Sequence, residues 1–228
     1  MTTQSNGVTS PAMTLAEPYR TNTKEKLLAA ALDLFWHASY GSVSVDDICK
    51  KAGVHKGSFY HFFDSKVALT VAAFETFWES KRPVLDEAFA LTLSPIERLK
   101  RYASLIYHWQ KEEFDKTGKV LGCPFAGCGS ELSTQEESFR IAIESIFKGY
   151  SEYFERLVKD AEICPPEMVH LMAQEMIAYV EGVIQQAKFS NDLNIIKTLL
   201  LPGLLQYISP EAALKARLLN TQQTKANA

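Results

Sequence analysis

An all-α protein is the fold class that the sequence predicts, on three observations. From Thr23 onward apolar residues recur at helical spacing, no alternating apolar and polar run is bounded by hairpin turn residues, and the helix starts carry capping chemistry. Leu27, Ala31, Leu34 and Phe35 share one face of a first helix over about Thr23 to His37. Ser44 offers a capping oxygen to a second over Val45 to Ala52, and a short third follows Gly53-Val54. Asp64 or Ser65 caps a fourth through about Lys81, and Ser94 caps a fifth that opens with Pro95 at the favoured first position. Leu121 to Gly129 reads as irregular, with Pro124 at a first helical position. A long helix from about Thr134 to Ala161 comes next, and Pro165-Pro166 separates it from one over Glu167 to Phe189. The last apolar helix, Leu193 to Tyr207, carries Pro202, which should kink or end it, and one further turn is expected after Pro210.

Residues 1–20 are polar, contain Pro11 and Pro18, and read as a disordered tail. Their lack of a basic, apolar leader and of any span of about 20 apolar residues leads to the expectation of a cytoplasmic protein with no membrane segment. With 46% hydrophobic and 22% charged residues, disorder of the whole chain is excluded. The net charge of −3 excludes indiscriminate polycationic binding of nucleic acid. Its distribution is uneven: residues 1–66 hold 7 basic and 6 acidic side chains, so the acidity comes from the remainder.

The segment Ser44 to Phe63 forms two short helices about a tight turn at Gly53, which can adopt the left-handed conformation. Val45, Ile48 and Ala52 give the first an apolar face, and Val54, Phe59, Phe62 and Phe63 bury the second. His55, Lys56, Ser58, Tyr60 and His61 are left exposed. Cations with polar and aromatic groups on one short helix suit phosphates and base edges in the major groove. Cys49 and the two histidines lack a zinc-ligand spacing, so no metal is expected, and no cofactor.

The runs Leu27-Leu28-x-x-Ala31-x-x-Leu34-Phe35, Ser44-Val45-x-x-Ile48 and Ala52-Gly53-Val54-x-Lys56-Gly57-Ser58-Phe59-Tyr60-x-Phe62-Phe63-x-Ser65-Lys66-x-x-Leu69 resemble the DNA-binding domain of the TetR family of transcriptional repressors. The resemblance implies a three-helix helix-turn-helix DNA-binding domain over residues 21–66. It also implies a larger C-terminal helical domain over residues 67–228 that binds a small-molecule inducer and dimerises. The molecule would be a homodimer on a pseudo-palindromic double-stranded DNA operator, released by the inducer. By position, Ser44, Tyr60 and Lys66 would hold phosphates, and Lys56, Gly57, Ser58 and His61 would lie at or near bases. Gly57 would act by absence, letting the helix into the groove. The family usually has Gly where Ser39 stands, and Gly41 could absorb that turn instead.

Farther along, aromatic and apolar side chains suit a pocket between helices, and Tyr102, Ile106, Trp109, Phe125, Phe147, Tyr150 and Tyr179 are its candidate lining. Pro124 places Cys123 at a helix N-terminus, where free N–H groups favour the thiolate. Gly122, Cys123, Phe125, Glu131 and Leu132 also resemble a Gly-Cys motif in repressors that respond to electrophiles or unsaturated acids; an inert buried thiol is the alternative. A Cys123–Cys128 disulfide is not expected, because five helical residues put the side chains about 140° apart. By resemblance, the last two long helices would pair with their symmetry mates, placing Gly182, Gln186, Ile196 and Leu200 at a dimer interface. A thiol-dependent enzyme built on Cys123 is the competing class. It lacks an identifiable base, nucleophile elbow or phosphate loop, so no enzyme is expected.

Overall fold

In the computed structural model, which describes residues 22–226, ten α-helices and one 3₁₀ turn account for the regular structure, with no strand among the described residues. The tail expected at residues 1–20 lies outside them. In order the helices are α1 (Thr23–His37), α2 (Val45–Ala52), α3 (Lys56–Phe62), α4 (Lys66–Ala88), α5 (Pro95–Thr117), α6 (Pro124–Leu132), α7 (Glu137–Ala161), α8 (Val169–Ser190), α9 (Leu193–Ile208) and α10 (Pro210–Ala226). The 3₁₀ turn is Pro166–Met168, before α8.

The boundaries follow from capping chemistry. Asn22 with Glu25 and Ser44 with Asp47 form reciprocal capping boxes, and Ser65 and Ser94 each accept from a first-turn N–H of α4 and α5. Gly53 and Gly118 end α2 and α5 at φ 67° and 69°. Neither Ser39 nor Gly41 is left-handed. The α1–α2 loop turns instead on Ser42, whose N–H and hydroxyl both donate to the Ser39 carbonyl at 3.2 and 2.9 Å.

Two expectations about helix ends are corrected, and one is narrowed. α4 continues past Lys81 to Ala88 because Pro83 faces solvent, where water can take the carbonyl its missing N–H frees. α9 runs through a buried Pro202 to Ile208, close to the expected end at Tyr207, so of the two alternatives, kink or end, Pro202 does not end it. After Pro210 there is a 17-residue helix rather than one turn, since Ala212 and Ala216 pack back on the core beside α9.

One continuous apolar cluster runs from Leu27 to Leu205. α1 packs on α2, α3, α4 and α6, while α4 also packs on α5 and α7, so α4 joins the N-terminal helices to the rest. Phe74, Phe125, Phe139 and Phe154 are completely enclosed, each contributing about 2–3 kcal/mol of burial. Phe62 departs from expectation: it is 39% exposed, because Phe59 and Phe63 already face α1 and fill that side of the short helix.

Candidate DNA interface and interior cavity

Gly53 turns the chain from α2 into α3, and Phe59, with no exposed surface, anchors α3 in the core. That leaves His55, Lys56, Gly57, Tyr60 and His61 exposed on one outer surface, with Ser58 half-buried beside them. Tyr60 is 55% exposed and braces its ring edge-on against Phe59 at 5.1 Å. Lys56 pairs with Asp46 of α2 at 2.9 Å, an exposed contact of small net worth that a phosphate could displace. A side chain at Gly57 would meet nothing within 4 Å. Glycine inside a helix costs roughly 1 kcal/mol relative to alanine, and the molecule's own packing gives no reason for it here.

Two of the expected phosphate contacts are engaged internally. Lys66 donates to the Tyr40 and Val43 carbonyls at 2.8 and 2.7 Å, with its ammonium 3.7 Å from the Tyr40 ring centre. It therefore ties the α1–α2 loop to α4. Ser44 gives both its N–H and its hydroxyl to the Asp47 carboxylate, at 2.8 and 2.6 Å. Neither is a free donor in this conformation, which sequence position alone could not register.

Between α1, α4, α5, α7, α8 and the start of α6 lies a small cavity of about 60 Å³, room for a handful of water-sized groups. Six of the eight candidate pocket residues line it: Tyr102, Ile106, Trp109, Cys123, Phe125 and Tyr150. Phe147 does not, packing on Tyr150 from outside at 6.3 Å between ring centres. Tyr179 does not either. Its hydroxyl donates to the Leu199 carbonyl at 2.7 Å across α8 and α9, and its ring occupies the space that a side chain at Gly203 would need. A wider groove of about 780 Å³ between α4 and α7 is open and rimmed by interleaved charges such as Glu79, Arg82, Lys148 and Arg156, so it offers no apolar enclosure.

Of the lining residues that were not among the expected ones, Glu112 and Glu113 of α5 included, three stand out. Trp36 of α1 donates its indole N–H to the Gly122 carbonyl at 2.9 Å. Lys81, 6% exposed, sets its ammonium 4.8 Å from the Phe77 ring centre and 4.6 Å from that of Trp109. Burial lowers its pKa to about 8 against the pull of Glu112 and Glu113. Glu181 of α8 is pushed up to about 7 by burial. The signal was present for both charges: Lys81 continues the buried stripe Phe74, Phe77, Leu85, and Glu181 is the lone carboxylate between Tyr179-Val180 and Gly182-Val183-Ile184.

Cys123 caps α6 as expected, and the N–H groups of Phe125 and Ala126 favour its thiolate, yet its pKa is raised well above the ordinary value. Burial of the sulfur is the larger cause and the facing Glu181 carboxyl the next. The thiol is held protonated, which favours the inert buried thiol over the helix-activated thiolate, the two alternatives left open by the sequence. Burial likewise pushes Cys128 to about 12, and all four cysteines are free.

Of the expected dimer residues, Gly182 and Gln186 are exposed on α8, in a stripe with Leu171, Gln174, Ala178 and Phe189. Ile196 and Leu200, each 1% exposed, face the subunit's own core and cannot meet a partner. The error is one of helix phase, since an almost uniformly apolar α9 does not mark its outer face.

Residues 27–73 match the family model for bacterial regulatory proteins, tetR family, and residues 95–199 match that for the transcriptional regulator LmrA/YxaF-like C-terminal domain. The chain is 29% identical over 185 residues to an uncharacterized HTH-type transcriptional regulator from Lactococcus lactis subsp. lactis, covering 78% of this chain and 89% of that protein. It is 30% identical over 129 residues to the HTH-type transcriptional repressor NemR of Escherichia coli K12, covering 56% and 63%. The crystal structure of a regulatory protein TetR from Rhodobacter sphaeroides superposes with a TM-score of 0.68 at 25% identity, covering 82% of this chain and 97% of that one.

Proposed function

Because the chain belongs to the tetR family of bacterial regulatory proteins, we propose that it is a ligand-responsive repressor that works in the cytoplasm as a homodimer and reads a pseudo-palindromic operator with α3. The observation that carries this reading is the outer face of α3, where exposed Tyr60, His61 and Lys56 flank a glycine that nothing in the molecule requires. A side chain at Gly57 would stand between α3 and a groove floor. Tyr60, Lys56 and His61 supply phosphate and base-edge contacts. The near neutrality of residues 1–66 means that few charges are neutralised on DNA, so a shallow salt dependence follows.

The dimer is assigned to the exposed stripe of α8, where Ala178 and Gly182 allow a partner helix to approach closely. The inducer is assigned to the cavity. Its effect reaches the DNA-binding helices through α6, whose entry holds α1 by the Trp36 to Gly122 bond and whose Glu131 carboxylate accepts from the Gly41 N–H at 3.2 Å. An inducer that shifts α6 alters the seat of α1, hence the separation of two α3 helices that must enter successive major grooves. With Cys123 held protonated, reversible binding is favoured over covalent capture of an electrophile.

Selection of an operator from random duplexes, followed by gel shift of wild type and Tyr60→Ala, tests the reading. Loss of about tenfold or more in affinity with unchanged helix content is expected. Equal affinity in the two proteins would remove α3 from the interface.

A further inference from the structure

We propose that Asp46 is a positioning residue for sequence reading. Its carboxylate holds the Lys56 ammonium against the start of α2, cancelling the pull of that cation on the DNA backbone and leaving two of its N–H groups for a base edge. The inference rests on the reading of α3 as the DNA-facing helix and adds a residue of α2 to it.

Lys56 is the one lysine or arginine of α3. Its ammonium lies 2.9 Å from an Asp46 carboxylate oxygen, and both side chains stand more than half in water. Asp46 belongs to the first turn of α2, so the pair closes across the turn at Gly53 rather than along one helix. The neighbouring acids have other duties: Glu25 and Asp47 complete capping boxes, and Asp33 pairs with Lys51. Asp47 also accepts from the Ser44 N–H and hydroxyl. The start of α2 thus carries two carboxylates, and each holds a donor expected at the DNA. A duplex approaching there meets negative charge, where a bare helix start would draw a phosphate.

An unpaired lysine is a point charge on a flexible stem, and it follows phosphates without regard to sequence. Asp46 removes both properties from Lys56. The charge is neutralised within the protein, so it contributes little to counter-ion release. One of the three ammonium N–H groups is spent on the carboxylate, and two remain. Guanine presents two acceptors in the major groove, O6 and N7. The groove floor is within reach because Gly57 next to Lys56 has no side chain. Specificity is a difference of affinities, and a carboxylate that weakens arbitrary contacts while aiming one donor raises it.

Anisotropy tests this with two labelled duplexes, an operator selected from random sequences and a scrambled duplex of the same length and composition, over a series of KCl concentrations. Asp46→Asn should bind the scrambled duplex roughly fivefold more tightly at low salt, with a salt slope steeper by about one per protomer. Operator affinity should stay within about twofold, since the lost aim offsets the gained charge. Operators substituted one base pair at a time should show Asp46→Asn and Lys56→Met relaxing discrimination at the same position of each half-site, and the double variant relaxing it no further. Support of α2 alone would move stability and not base preference. If Asp46→Asn loses helix content, Asp46→Ser carries the same measurements. Unchanged binding of the scrambled duplex, an equal gain on the operator, or relaxation at different positions would each overturn the proposal. Tyr60→Ala separates it from the α3 reading: if that variant loses the operator, any of these results removes Asp46 alone, and if it keeps the operator, α3 leaves the interface and the proposal falls with it.

Discussion

The indole N–H of Trp36 donates to the carbonyl of Gly122, 86 residues away, and so joins the first helix to the loop that delivers Cys123 to the cavity. The same carbonyl accepts from the Gln110 side chain at 3.0 Å, and the Gly122 N–H donates back to that amide at 3.0 Å. Gly122 holds φ 81°, and Lys188 packs against its Cα. Three helices thereby meet on one residue without a side chain. Trp36→Phe should remove the α1 link while Gln110 keeps the carbonyl paired. A loss of about 1 kcal/mol in stability is expected, with operator affinity less responsive to inducer, as read by fluorescence anisotropy with and without ligand.

Lys66→Met distinguishes a brace from a phosphate contact. Losing two charge-assisted bonds to the α1–α2 loop should cost about 2 kcal/mol, seen as a lower urea midpoint in the absence of DNA. Unchanged stability with weakened operator binding would return Lys66 to the interface.

Arg98, 3% exposed, pairs with Asp160 at 2.5 Å and donates to the carbonyls of Ala90, Leu91 and Leu93. It gathers the α4–α5 loop onto α7. Arg98→Met should leave those acceptors unpaired and destabilise the protein by about 3 kcal/mol, measured by denaturant unfolding.

Glu181 and Lys81 should give stability opposite slopes with pH. Folded Glu181 holds its proton up to about pH 7 against an ordinary 4.5, so the folded state binds more protons in that window and stability falls as pH rises through it. Folded Lys81 loses its proton near 8 against an ordinary 10.5, so the unfolded chain binds more protons there and stability rises with pH. Each limb amounts to about 3 kcal/mol. Urea midpoints from acid to alkaline pH should show the lower slope flattened in Glu181→Gln and the upper in Lys81→Met.

Gly182→Arg places a long cation on the exposed stripe of α8, where nothing of the subunit lies within 4 Å of an added Cβ. Sedimentation should then report monomers with unchanged helix content, and operator affinity should collapse because two half-sites are no longer held together. A variant that remains dimeric would move the interface elsewhere.

Most helix starts were legible because they are local: Ser44, Ser65 and Ser94 satisfy N–H groups two or three residues away, and Gly53 reverses the chain by its own φ. The helix-turn-helix was legible for the same reason, its spacing being short and its apolar anchors periodic. Misreadings came where distant parts decide. The sequence also could not show that Lys66, expected at a phosphate, meets the Tyr40 and Val43 carbonyls. Ile196 and Leu200 looked like interface until α9 rotated them inward.

The sequence by itself determined an all-helical chain and the identity of α3 as its exposed, DNA-facing candidate, because capping and periodicity act over one or two turns. Only the tertiary structure decided what the cavity is made of. Lys81 and Glu181 stand 100 positions apart in the chain, and neither is unusual until folding removes water from both. Desolvation is a property of everything packed around a group, and for that reason the thiol of Cys123, placed by sequence where a helix would ionise it, remains protonated in the folded protein.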